Sequence, residues 1–231
     1  MALIFRWLVR LASALIFLGV AAIALAYYFA SRSLPDYDAT SEVAGIEAPV
    51  EIVRNNANVP HIFGASNEDV YFALGYAHAQ DRLWQMTMLR RTAQGRLSEL
   101  FGERTVAIDE VFRRIDLSTL SVASVSVQTE ETKTYLGAYA DGVNAWLAEV
   151  NKGALGRGAP EMWLFNHPIA PWQPADSLAI LKLMALDLTS NLENEVLRAR
   201  TSLLLDDERL ADILPDDPTG GIAALPEYAA L

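Results

Sequence analysis

Three histidines, His61, His78 and His167, are the only imidazoles in the 231-residue chain, and no two stand at H-x-x-x-H or H-E-x-x-H spacing for zinc. No G-x-S-x-G elbow is present, so a conventional serine triad has no nucleophile position. The chain has no Cys, which removes thiolate zinc sites, iron–sulfur clusters, disulfides and cysteine nucleophiles together. Asp81, Arg82, Arg96 and Glu99 are of the right types to form hydrogen-bonded ion pairs, among the small residues of Gly75–Arg82 that allow close helix packing. Such pairs more often fix packing than perform chemistry. His61 is expected to be a strand residue satisfied by a neighbour. G-x-x-G-x-G at Gly153–Gly158 lacks the spacing and preceding strand of a dinucleotide site. Eighteen basic against 29 acidic residues and a net charge of -11 leave no clustered cationic surface for nucleic acid.

Charge is unevenly distributed. Residues 1–32 hold Arg6, Arg10 and Arg32 and no acid, three positive charges within a total of -11, which leaves -14 for the rest. Leu11–Ala30 has no charged residue, and a helix of that length rises about 30 Å, one hydrocarbon thickness. Arg6 and Arg10 precede it, so the remainder is expected across the membrane, exported to the periplasm or cell exterior. Ala24-Leu25-Ala26 fits a signal-peptidase site, whereas Tyr27, Tyr28 and Phe29 suit an uncleaved anchor with an interfacial aromatic belt. Residues 1–32 are therefore a signal anchor or signal peptide, 33–47 a polar linker and 48–231 the folded region.

Within that region Val50–Val53 alternates as a strand and Val59–Phe63 makes a second apolar run. Asn-rich Arg54–Asn58 between them predicts a β-hairpin. Ser66-x-x-Asp69 predicts a helix start in which hydroxyl and acid satisfy free N–H groups, followed by one long helix ending near Gly95. Arg96–Phe101 closed by Gly102 predicts a short helix, and Thr105–Ile115 another. Ser118–Val127 fits either strand or loop. Tyr135, Leu136, Tyr139, Val143, Trp146, Leu147 and Val150 predict one face of a helix from about Thr129. Trp163–Phe165 suggests a short strand, the prolines at 168, 171 and 174 an irregular crossing, and Asp176 the cap of a long helix over 177–206.

Arg54–Ile62, Gly75–Met86, Arg90-Arg91, Gly95–Gly102, Pro160-Glu161, Pro171–Ser177 and Glu195–Ala199 resemble, in order and spacing, the small-subunit region of the penicillin acylase family over about residues 48–205. Asn55 and Asn58 stand where that family usually has Asp and Gly; Asn at 58 still permits a positive φ, so the turn should survive. The resemblance implies an α+β class: a mostly helical fragment with an N-terminal hairpin, part of an αββα N-terminal-nucleophile hydrolase assembly. It implies hydrolysis of linear amides, with the side-chain amides of β-lactam antibiotics and N-acyl homoserine lactones as the obvious substrate classes. The family nucleophile is a residue, usually Ser, freed at the start of a large subunit, with its own α-amine as base. None of the 13 glycines here precedes Ser, Thr or Cys, so the nucleophile is expected in a large-subunit partner and this chain is expected to be inactive alone. By the same resemblance Met184, Asp187 and Leu188 are expected to help line an acyl pocket. Glu195 is expected to offer one carboxylate to a calcium ion completed by the large subunit, since a hard cation needs about six to eight oxygens. Glu195 could instead pair only with Arg198, and Met184 and Leu188 could be ordinary core. The alternative function is a membrane-tethered, non-catalytic binding module or the remnant of a truncated gene.

Overall fold

The computed structural model describes residues 2–152, 158–163, 165, 168–189 and 191–213, in two units divided between Leu183 and Met184. Helix α1 (Ala2–Arg32) carries the apolar segment and is long and apolar enough to cross a membrane by length and composition. Strands β1 (Glu51–Arg54) and β2 (Pro60–Phe63) pair antiparallel, with Val53 opposite His61. Their connection is built by Asn55, whose side-chain oxygen accepts from Ala57 N (2.9 Å) and Val59 N (3.0 Å), while Asn58 takes φ 59°. Two Asn side chains thus supply a closed turn without the family's usual Asp and Gly. His61 is exposed and its Nε2 lies 3.4 Å from Asn55 Nδ2.

Helix α2 (Asn67–Ala93) starts at Ser66, whose hydroxyl accepts from Asp69 N at 3.1 Å. The acid does not complete the box. Asp69 turns away and accepts from Glu47 N (2.8 Å) and Ala48 N (3.3 Å), tying the preceding segment to the helix. Residues 33–47 are accordingly not a free linker. Tyr37 donates to Asp81 (3.1 Å), Ser41 hydrogen-bonds Tyr76, and Gly45, at φ +100°, lies against the Phe72 ring. The segment is a strap laid antiparallel along one face of α2.

Helix α6 (Glu130–Lys152) packs along α2 beside the strap, so that Phe72 and Tyr76 touch both. Approach is closest where Gly75 faces the Tyr139 carbonyl and Gly142 faces the Phe72 carbonyl; a Cβ there would lie 2.0 and 1.8 Å from those oxygens. Around this contact Ala79, Leu83, Met86, Val143, Leu147 and Val150 are buried with Met162 and Trp172. Tyr135, Leu136 and Tyr139, expected on the same buried face, are only half-buried.

Helix α3 (Ser98–Phe101) ends at Gly102 with φ +67°, and a 3-10 turn leads into α4 (Val106–Ile115). Asp109, 4% exposed, anchors α3 by accepting from Leu97 N (2.8 Å) and Ser98 N (2.7 Å). The Ser/Val stretch is neither strand nor loop: Leu117–Ser126 is helix α5. Its hydroxyls bond back to its own carbonyls, Ser121 to Leu117 (2.6 Å) and Ser124 to Leu120 (2.8 Å), so that polar residues sit in a helix with their donors satisfied. Leu117 packs with Ala93, Ala179 and Leu183.

Among the described residues the strand expected at 163–165 is not found. Pro160–Trp163 is a 3-10 turn, Phe165 stacks on Trp84 (5.3 Å), and Leu164 lies outside the described residues, as does His167. Helix α7 (Pro174–Thr189) begins with Pro at its first position, and Asp176 reaches back to Gln173 N (2.8 Å), the acidic half of a capping box. Of the long helix expected over 177–206, the described residues form α7 to Thr189 and α8 (Asn191–Thr201), with Ser190 outside them, followed by α9 (Asp207–Ile213).

Three carboxyls titrate low. Arg96 first (2.7 Å), then Arg91 (2.8 Å), hold Glu99 down to about 2. For Asp69 the Glu47 N–H outweighs burial; for Asp109 burial pushes up but the Ser98 and Leu97 donors prevail, leaving both lowered. Folded pKa values below unfolded ones mean stability fully present above about pH 4.5 and lost progressively toward pH 2. Urea midpoints measured between pH 7 and pH 2 are expected to be flat to about 4.5 and then fall, less steeply in Glu99→Gln. A flat profile through pH 2.5 would contradict these assignments.

Candidate functional site

Of the charged residues singled out in the sequence, three are in ion pairs. Arg96 and Glu99 do meet, on the surface. Asp81 is taken not by its neighbour Arg82 but by Arg54 of β1, whose Nη1 and Nη2 lie 2.9 and 3.0 Å from the two carboxylate oxygens. Arg54 also donates to Gln80 Oε1 (3.1 Å) and stacks on the Tyr37 ring at 3.9 Å. This planar, fork-shaped contact locks strap, hairpin and helix together. One residue later the helix is interrupted: Arg82 has φ -135° and ψ 21°, and its side chain turns into a groove.

That groove, about 460 Å³, is lined almost wholly by carbon. Tyr71, Leu74, His78 and Met86 of α2 form one wall, Tyr135, Leu136 and Tyr139 of α6 the other, and Trp172 and Ile180 its end. The walls are stiffened by aromatic contacts. Tyr71 stacks on Tyr135 (4.6 Å), whose hydroxyl accepts from Asn67 (3.1 Å) and donates to Glu131 (2.8 Å). His78 Nδ1 lies 3.0 Å from the Tyr139 hydroxyl. Burial pushes Tyr139 up to about 12, so it remains a phenol and can donate; loss of solvent lowers His78 despite Asp81, keeping its imidazole neutral and able to accept. The pair orients two rings of the groove wall.

The end of the groove is held by the Pro-rich crossing. Asn144 accepts from Trp172 N (2.7 Å) and donates to Trp172 O (2.9 Å), and the indole N–H donates to Ser177 (3.0 Å). From below, Arg90 donates to Ala170 O (3.0 Å) and Pro171 O (3.3 Å) and faces Asp176 at 3.5 Å. Arg90 and Asp176 are 5% and 7% exposed. The spacing of Tyr71, Leu74, His78, Arg82, Gln85 and Leu89 at three and four residues was the signal for this wall; it could have been recognised as a second helix face besides the core-facing one.

Met184, Asp187 and Leu188, expected at an acyl pocket, occupy the last turns of α7 in the second unit, three and four residues apart and so on one side of the helix. All three are exposed, Met184 and Leu188 at 52% and 79%, so they are not core residues within this chain. Glu195 lies on α8, but its side chain is outside the described residues. Among the described residues no group of three His, Asp or Glu is placed to hold a metal. The described donors therefore do not fit a calcium site by themselves.

The described residues form a paired-helix scaffold with a hairpin and an open apolar groove, and hold no group of acids and histidines placed for a metal. The family model for penicillin amidase matches residues 49–224. Penicillin acylase 2 proenzyme of a Pseudomonas species is 35% identical over 157 residues, 67% of this chain and 19% of that protein. The acyl-homoserine lactone acylase QuiP of Pseudomonas aeruginosa is 32% identical over 188 residues, 80% of this chain and 22% of that protein. A solved chain of thermostable penicillin G acylase from Alcaligenes faecalis superposes with a TM-score of 0.61 at 27% identity, covering 78% of this chain and 98% of that one. The chain belongs to the penicillin amidase family. It spans about a fifth of the length of the curated relatives it matches.

Proposed function

We propose that this chain is the small-subunit part of an exported, membrane-anchored amidohydrolase. It would act with a large-subunit polypeptide bearing the nucleophile, on linear amides such as penicillin side chains or N-acyl homoserine lactones. The observation that carries the proposal is the bare groove between α2 and α6. Its apolar walls are stiffened by aromatic contacts and its end is fixed by buried polar bonds, yet the groove is left open to solvent. Apolar surface of this kind on a rigid frame is what an obligate partner covers. Near-complete coverage of one chain of a solved penicillin G acylase, against a fifth of its curated relatives' length, supports the same division of labour.

Chemistry would then belong to the partner: its leading hydroxyl attacks the amide carbonyl while its own α-amine takes the proton and passes it to the amine expelled as the C–N bond breaks, and water hydrolyses the resulting acyl ester to the carboxylic acid and the free hydroxyl. This chain would contribute the wall around Met184 and Leu188, where a flexible thioether and a branched alkyl group can receive an acyl chain, and Glu195 as a single ligand of a shared calcium. The anchor would be α1 if it is not cleaved at Ala26.

Co-production with a family large subunit should yield a stable pair. Leu136→Glu, which puts a charge in the groove, should abolish co-purification while leaving the melting temperature of the chain unchanged. Undiminished pairing of that variant would contradict the proposed interface.

A further inference from the structure

The strap determines how far the folded body can stand from whatever holds α1. Its contacts with α2 are regular: Glu47 and Ala48 meet Asp69, Gly45 meets Phe72, Ser41 meets Tyr76 and Tyr37 meets Asp81. Each step back along the strap moves roughly one helical turn toward the middle of α2, so the chain leaves the body at the kink and not at a terminus of the helix. Tyr37 is the last fixed point, gripped by Asp81 through its hydroxyl and by Arg54 through its ring. Helix α1 ends at Arg32, and Ser33 beside it is only 6% exposed. From Arg32 to Tyr37 a fully extended chain reaches at most about 18 Å. If α1 spans a bilayer, no free linker separates the body from it.

The surface at that corner has the chemistry of a headgroup layer. Leu34 is 70% and Val59, on the hairpin connection, 49% exposed. Leu34 precedes Tyr37 by three residues, and Val59 follows Asn58, which Tyr37 hydrogen-bonds as well as Asp81. Ser33, Leu34 and Pro35 share a cleft of about 290 Å³ with Arg82 and Gln85. Arg82 is exposed and, among the described residues, makes no ion pair. Arg32 lies at the α1 end of the same corner, and Asp36 and Asp38 are exposed on either side of Tyr37. Cations, acids and single apolar side chains in one patch match zwitterionic phosphate and ammonium groups better than a uniformly charged partner. Arg82 and Gln85 also border the groove, so one end of the groove adjoins this corner.

We propose that the corner formed by Leu34, Tyr37, Val59 and Arg82 rests on the lipid headgroup surface, so that the protein is a body fixed against the bilayer and not a domain swinging on a tether. The proposal rests on retention of α1 and is independent of the hydrolase reaction.

Because the chain has no Cys, one introduced thiol is a unique label site. Val59→Cys, and as control Val122→Cys on α5, would be labelled with an environment-sensitive fluorophore. The full chain would then be reconstituted in phosphatidylcholine vesicles with a headgroup-spin-labelled lipid. Helix α5 packs near Ala93, about 18 Å along α2 from Asp81. Quenching is expected to be several-fold stronger at residue 59 than at 122, and to fall to the control level when Tyr37→Ala is added, although the protein still floats with the vesicles. Equal quenching at the two sites in floating protein would overturn the proposal while leaving the anchor intact, as would undiminished quenching in Tyr37→Ala. Failure to float would overturn it by removing the anchor. Neither result touches amide hydrolysis, which the paired subunits would report separately.

Discussion

Gly142→Ala is expected to destabilise the fold by about 3 kcal/mol or more and lower its melting temperature by roughly 10 °C. The added methyl would sit 1.8 Å from the Phe72 carbonyl oxygen and 2.7 Å from its carbon, inside helix backbone that cannot rotate away. Relief requires α6 to withdraw from α2, and the same withdrawal opens the Gly75–Tyr139 contact and the packing of Val143 on Ala79. Gly137→Ala is the control on the same helix, because its methyl meets nothing within 4 Å. Replacing a helical Gly there is expected to be neutral or stabilising by about 0.5–1 kcal/mol. Thermal denaturation of the two variants beside the parent measures both; equal melting temperatures would contradict the close-approach geometry.

Arg90→Ala is expected to cost about 3–5 kcal/mol, the range for stripping a buried charge of its partner. Two carbonyls of the Pro-rich crossing lose their donor, and Asp176 is left buried with Gln94 (3.1 Å) and the Gln173 N–H. The carbonyl contacts are shorter than the 3.5 Å approach to Asp176, so most of the loss should fall on the crossing. Trp172, 4% exposed beneath the groove end and 5.2 Å from the guanidinium, then reports the change: its fluorescence should shift to longer wavelength below the main unfolding transition. Arg90→Lys keeps the charge but cannot fork between crossing and carboxylate, and should fall in between. A loss under about 1 kcal/mol in Arg90→Ala would contradict this role.

The elements that announced themselves in the sequence did so through local chemistry. Ser66-x-x-Asp69 marked the start of α2, Gly102 the end of α3, and the Asn-rich run the hairpin, since caps and tight turns are decided within four residues. What failed depended on distant groups. Asp69 had two possible uses for its carboxylate, and only the strap, 21 and 22 residues upstream, decides between them. Asp81 and Arg82 look like a pair on paper, yet adjacent helix residues point to different sides, and Arg54 approaches from the hairpin. Residues 33–47 look like linker because no apolar period marks them; what holds them is backbone N–H groups, one tyrosine and one glycine, which periodicity does not register. The serines of α5 concealed a helix because their self-satisfying bonds leave no pattern in hydropathy. Of the candidate site, the resemblance supplied Met184, Asp187, Leu188 and Glu195, whereas the groove emerged only when α2 was seen to present two apolar faces.

Hydrolysis of a chromogenic phenylacetyl anilide tests the central claim most directly, measured on this chain alone, on a family large subunit alone and on the two produced together. The account predicts turnover by the pair only, lost when the leading hydroxyl residue of the partner is replaced by Ala. Turnover by the purified chain without a partner would contradict it.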